Sequence, residues 1–222
     1  MDRLSQDLFS KRDVVIEYSD RRKSSIKRTE VELFGRKLKP RDYADLVGTP
    51  SGATILLDND DDNNMTISVM HPLYDGAQIR ALYKESGQVF MINDYFVAKR
   101  DAPKGLGSRV LARQVKFAYL MGVRELSLQA SGGPSSSIYN GYYTWPRLGF
   151  IIDLSRKSHV LEAAGFSGVK DTADLFKRPG GKEWWRTNGW GGSATFDLQP
   201  GSRSHTILSE YLAQKGIVVD AN

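Results

Sequence analysis

The sequence predicts an α+β fold of three-layer α/β type. Its sheet is mixed and mainly antiparallel, with a central parallel strand pair flanked by helices, an N-terminal hairpin before it and a C-terminal elaboration after it. Three observations predict this. Four short stretches rich in aromatic and β-branched residues follow one another over 53–98, with turn-forming residues between them. Leu106, Val110, Leu111, Phe117, Ala118 and Met121 then recur at helical spacing, and Gly122 supplies the stop. Val123, Leu126, Leu128 and Ala130 mark a further strand. A strand that returns across a helix runs parallel to the first, by a right-handed crossover.

Taken in order, 13–18 and 26–34 read as two strands around a polar, basic turn, the N-terminal hairpin. Residues 40–47 read as a short helix, with Pro40 in the first turn, where its missing N–H costs nothing, and Gly48 as the stop. Strands at 53–57 and 65–70 flank an Asp/Asn-rich turn. A calcium loop starting at Asp58 would need Gly at its sixth position and Glu at its twelfth, which are Asn63 and Val69. A hairpin turn of residues that tolerate the left-handed region is the better account. The strands at 77–84 and 89–98 come next, then a loop to Pro103, a turn holding Gly105 and Gly107, the long helix, and the strand 123–130. A polar loop (131–137) leads to a short helix at 138–145, with Ser135 or Ser136 as cap and Pro146 near its end. Beyond 151 the sequence suggests a helical insertion (158–177), a Trp-rich segment (183–190), a strand (194–198) and a last helix over 204–215. The expected organisation is an arm, 1–48, packed on a main domain, 49–222.

The glycine turn carries the chemistry. A helix start leaves backbone N–H groups pointing outward with partial positive charge, and glycines hold nothing in front of them. Lys104 and Arg109 add mobile cations beside it. No Gly-Lys-Ser/Thr closes the loop, so it is not a Walker loop. The third glycine of a dinucleotide fingerprint is replaced by Val110. A tight strand-to-helix connection is the plain alternative. The stretch resembles the acyl-CoA-binding motif of the GNAT acyltransferase superfamily, Arg/Gln-x-x-Gly-x-Gly/Ala, which falls here on Ala102-Pro103-Lys104-Gly105-Leu106-Gly107. Both glycines match, while Ala102 departs from the leading position. Members also carry a helix ending in Tyr-x-x-x-Gly-Phe after the following strand. Gly149-Phe150 matches that ending, and Trp145 stands where the tyrosine would be. The resemblance covers about 53–150 and leaves 151–222 as elaboration.

That resemblance implies acetyl-CoA, or another acyl-CoA, as ligand. Its pyrophosphate would rest on the N–H groups of Lys104, Gly105, Leu106, Gly107, Ser108 and Arg109. The pantetheine arm would pair with the backbone of Phe96, Val97 and Ala98, and the thioester would lie near 129–131. An amine acceptor would attack directly, so the protein supplies orientation, a place for developing charge, and a base. Asp94 is the preferred base, with a plain surface carboxylate as the alternative. An indole cannot supply a proton to a leaving thiolate. Tyr142 or Tyr143 is therefore the candidate acid, with aromatic packing as the alternative for each. Against an active N-acyltransferase stands a GNAT-like binding or structural module without turnover, which Ala102 and Trp145 favour.

Composition sets the outer bounds. The chain has 222 residues, enough for a sizeable core, and contains no cysteine, which excludes disulfides and thiolate chemistry. A reducing, cytoplasmic location is the expectation, with no membrane partner. The three histidines, His71, His159 and His205, lack metal-ligand spacing and read as structural or exposed, and no metal is expected. Residues 1–41 hold 12 Lys+Arg against 7 Asp+Glu, while the rest balances at 19 against 19. Nucleic acid is a candidate partner for that arm, and a solvated basic face is the preferred reading. The tryptophans of 183–190 suit a core or lid better than a substrate wall.

Overall fold

The computed structural model describes residues 1–10, 13–19, 38–59 and 64–219. The expected second hairpin strand (26–34), the basic groups at 11–12, 21–23, 27–28 and 36–37, and the centre of the Asp/Asn turn lie outside the described residues.

Eight strands are described: β1 (Val15–Ser19), β2 (Thr54–Asn59), β3 (Asn64–Met70), β4 (Gln78–Glu85), β5 (Gln88–Tyr95), β6 (Val123–Ala130), β7 (Ile151–Ile152) and β8 (Gly192–Asp197). They form a mixed sheet in the order β1-β2-β3-β4-β5-β6-β8-β7, flanked by helices. β1 runs parallel to β2, β2 to β5 are successive antiparallel neighbours, and β7 is antiparallel to β8. The predicted α+β class with a mixed sheet is therefore observed. Among the described residues, no helix is long and apolar enough to cross a membrane.

The chain divides into two compact units. One comprises residues 1–126 with the stretch from Leu212 onward, the other Ser127–Tyr211.

In the first unit, alternation drives the sheet. Met65, Ile67 and Val69 are buried while their neighbours are not, and Leu82, Val89 and Met91 continue the same buried set. The helix α1 (Arg3–Phe9) has no counterpart in the sequence reading, which treated this stretch only as part of the basic arm. Its signal is the N-cap Asp2, whose carboxylate accepts from the Ser5 N–H at 2.9 Å. The helix α2 (Pro40–Leu46) is capped by Val47 and followed by Gly48, where a Cβ would stand 2.2 Å from the Val110 carbonyl oxygen, so only glycine lets the chain pass. The helix α3 (Leu106–Leu120) buries Leu106, Val110, Leu111 and Ala118 of the residues read at helical spacing, together with Val115, while Phe117 and Met121 are half-buried.

The second unit holds α4 (Gly141–Arg147), α5 (Ser158–Ala163), α6 (Thr172–Lys177), α7 (Gly181–Asn188) and the start of α8 (Arg203–Gln214). α4 begins three residues later than expected, because Asn140 first bridges back to Gly132. Asn140 is its N-cap in place of Ser135 or Ser136. The expected insertion at 158–177 is broken into α5 and α6 by Gly165 and Gly168, whose φ values of 87° and 74° cannot continue a helix. Phe150 and Phe196 are fully buried with ring centroids 5.5 Å apart, and Trp185 is fully buried with its indole N–H on the Tyr142 carbonyl at 2.9 Å.

Candidate functional site

The site begins where β5 stops. β4 and β5 pair residue for residue from Glu85–Gln88 to Arg80–Asn93, then slip, so that Ile79 faces Tyr95 and Asp94 is the extra residue of a bulge. The strand expected to reach Ala98 therefore ends at Tyr95. Residues 96–98 change partner. Ala98 bridges Tyr74, the Asp75 N–H donates to the Val97 carbonyl at 2.9 Å, and the Lys99 N–H donates to the Leu73 carbonyl at 2.9 Å. In that antiparallel geometry residues 97 and 99 face the 73–75 segment, so Ala98 turns its own N–H and C=O to the opposite edge.

The turn follows. Gly105, with φ 81°, is the N-cap of α3, and the first turn of the helix carries no acidic residue. The Leu106 N–H is held by the Pro103 carbonyl at 3.1 Å. Lys104 is exposed, and Gly105 and Gly107 are half-buried. This is an electropositive helix start of the kind that accepts an anion. The α-carbon faces of the glycines are nonetheless packed. A Cβ on Gly105 would meet Arg109 Nη1 at 2.6 Å and Ile217 Cδ1 at 3.3 Å, and one on Gly107 would meet the Phe96 ring at 3.1 Å. The Phe96 ring, among the residues expected to receive the pantetheine arm, thus fills the space beside Gly107, among those expected to receive the diphosphate.

Arg109 is a fixed cation, not the mobile one expected. It is 7% exposed and donates through Nε to Ser5 Oγ at 3.0 Å and through Nη2 to Asp2 Oδ1 at 3.1 Å. Asp2 Oδ2 also accepts from the Val218 N–H at 2.8 Å. Burial pushes the Asp2 carboxyl up, but the backbone N–H groups of Ser5 and Val218, together with Arg109, outweigh it and hold the group well below the usual carboxylate range. Ser108 is buried on α3.

Of the proton-transfer candidates, Asp94 is exposed at the bulge. In the second unit, Tyr142 is 5% exposed and its hydroxyl donates to the Arg186 carbonyl at 2.8 Å. Tyr143 is half-buried, with the Arg147 guanidinium 5.1 Å from its ring centroid. The Trp145 ring packs on Phe150 at 5.4 Å. Gln129 and Ser131 are exposed, and Ser193 Oγ lies 3.4 Å from Gln129 Oε1. Gly149, φ 96°, would place a Cβ 2.4 Å from the Ser204 carbonyl oxygen, a packing reason for the Gly-Phe pair.

The sequence reading passed over Arg80, Gln78, Asp2 and Ser5. For Asp2 a signal existed, an N-cap residue type directly before the helix, and for Ser5 none. For Gln78 and Arg80 it lay in two polar residues at alternate positions on the buried face of a strand. No family model matches the chain, and no curated protein matches it.

Proposed function

We propose that the chain is an N-acyltransferase that moves an acetyl or related acyl group from acyl-CoA to an amine by direct attack. The observation that carries this reading is the Phe96 ring filling the space where Gly107 has no side chain, at a helix start bearing an exposed lysine and no acid, beside a strand end whose Ala98 peptide turns outward. β8 lies in the sheet between β6 and β7, an order that suits this reading. Acyl-CoA would supply the activated thioester carbonyl. Lys104 and the α3 N-terminus would hold its diphosphate, and Ala98 would orient its arm by backbone pairing. Asp94, lifted out of register by the bulge, would take the proton that the acceptor ammonium must lose. For the acid that a leaving thiolate would need, Tyr143, the less buried of the tyrosine pair, is the residue to test.

Calorimetry with CoA and acetyl-CoA tests the reading. Micromolar binding that Gly107→Glu abolishes supports it, because the glutamate adds bulk against Phe96 and a negative charge at the helix start. Thiol release from acetyl-CoA over a panel of amines then tests turnover. A second reading, a GNAT-like module that binds without turnover, is favoured by the Tyr142 hydroxyl being committed to the Arg186 carbonyl. Binding without thiol release for any amine would select it, and no binding at all would reject both.

A further inference from the structure

Past the slip in the β4–β5 ladder, side chains take over from the main chain. Arg80 Nη1 donates to the Tyr95 carbonyl at 3.0 Å and to the Ile79 carbonyl at 2.9 Å, and Gln78 Nε2 donates to the Val97 carbonyl at 3.1 Å. The two residues alternate on the buried face of β4 and are 2% and 1% exposed. The Arg80 guanidinium also lies 5.6 Å from the centroid of the Phe96 ring, against which Tyr74 packs edge-on at 5.7 Å. One guanidinium thus grips the last carbonyl of β5 and lies over the ring that fills the space beside Gly107.

Fold stability does not account for this pair. Among the described residues Arg80 forms no ion pair with a carboxylate, and burial pulls its pKa down, with Tyr74 opposing. Arg80 Nε and Gln78 Oε1 are buried without a hydrogen-bond partner among the described residues. Replacing a buried cation that has no counter-charge among the described residues, and the polar atoms left over beside it, by apolar side chains of the same shape is often neutral or stabilising. Such an arrangement persists where the geometry it enforces is useful.

We infer that Arg80 and Gln78 are positioning residues for the acyl-CoA-facing edge. By holding the carbonyls of residues 95 and 97 inward they turn the Ala98 peptide outward, and through Phe96 they set the distance from that edge to the glycine turn. The inference rests on the proposed function for its ligand, but the positioning itself is read without one.

The test uses the full chain with Arg80→Met, Arg80→Lys and Gln78→Leu. Amide hydrogen exchange at Lys99 and Asp75, whose N–H groups pin the 96–98 segment, should quicken at least about ten-fold in Arg80→Met, while the β2–β3 ladder amides keep their protection. Arg80→Lys, which retains a donor for one carbonyl, should recover part of that protection. Unchanged exchange at Lys99 and Asp75, or equal loss across the ladder, would overturn the inference. Should Arg80→Met fail to fold, Gln78→Leu gives the same readout through Val97. Calorimetry adds the ligand arm: CoA should bind about ten-fold more weakly to Arg80→Met, while its diphosphate fragment, 3′-phosphoadenosine 5′-diphosphate, binds within about two-fold of wild type. Equal weakening of both would overturn the positioning role. Wild-type protein that ignores CoA would overturn the acyl-CoA reading alone, with the exchange result still deciding what Arg80 and Gln78 do.

Discussion

Arg109 and Asp2 form a part-buried ion pair at 3.1 Å, across 107 positions of sequence. The carboxylate caps α1 and the guanidinium lies over Gly105, so one pair ties the first helix of the chain to the start of α3. Asp2→Ala removes the cap and leaves Arg109 with a buried donor facing nothing. A loss of about 1–2 kcal/mol is expected in urea unfolding. The sign with pH follows from the lowered pKa of Asp2. Its stabilisation is present above the ordinary carboxylate value and is lost as pH falls toward the folded value, so the wild type should converge on the variant in acid.

Asn93 and Gln114 exchange two hydrogen bonds in the first unit, at 3.1 and 2.8 Å, and bind β5 to α3. Gln114→Leu strands the Asn93 amide and should cost about 1–3 kcal/mol. Adding Asn93→Leu should restore part of that loss. A double-mutant cycle by urea denaturation checks the coupling.

His71 is held neutral. Its Nδ1 accepts from the Leu73 N–H at 3.1 Å, which places the proton on Nε2, 3.0 Å from the Ser51 carbonyl oxygen. Burial lowers its pKa from the ordinary 6.5, with the Ser51 carbonyl opposing. The unfolded chain then takes up a proton first as pH drops, so stability is flat above the ordinary histidine value and falls below it. Urea midpoints from about pH 8 to about pH 5 should show this decline. His71→Gln should flatten it only in part, because burial lowers His205 as well.

Tyr142 and Tyr143 should separate in their effects. Tyr142→Phe withdraws the donor from the Arg186 carbonyl and should cost about 0.5–1.5 kcal/mol of stability with thiol release retained. Tyr143→Phe keeps the ring under Arg147 and should leave stability within about 0.5 kcal/mol of wild type. Under the proposed function it lowers thiol release at least about ten-fold. The opposite pattern would move the acid role to Tyr142.

The strands from 53 to 95 and the helix α3 were legible because alternation and helical spacing are local and one face of each is buried. β5 shows the limit. Its composition runs on to Ala98, but the slip at Ile79 and Arg80 is decided by side chains on the neighbouring strand, which a pattern along one strand does not register. The glycine turn was found at its correct place, before α3. That its α-carbon faces are packed by Arg109, Ile217 and Phe96 depends on contacts as far as 112 positions away from Gly105. Gly165 and Gly168 were readable as breaks and were passed over in favour of one longer helix. The Tyr142 hydroxyl meets a carbonyl 44 positions on, and nothing near it in sequence announces that.

The clasp of Asp2 on Val218 has a consequence for assembly. The carboxylate that caps the first helix and steadies Arg109 is itself steadied by an amide 216 residues downstream. Without that amide, the Asp2 carboxylate lacks one of the donors that hold it ionised. Closing so long a loop adds little further entropic cost per residue. The bond from Val218 therefore steadies α1 and Arg109 only when two stretches distant in sequence have both folded.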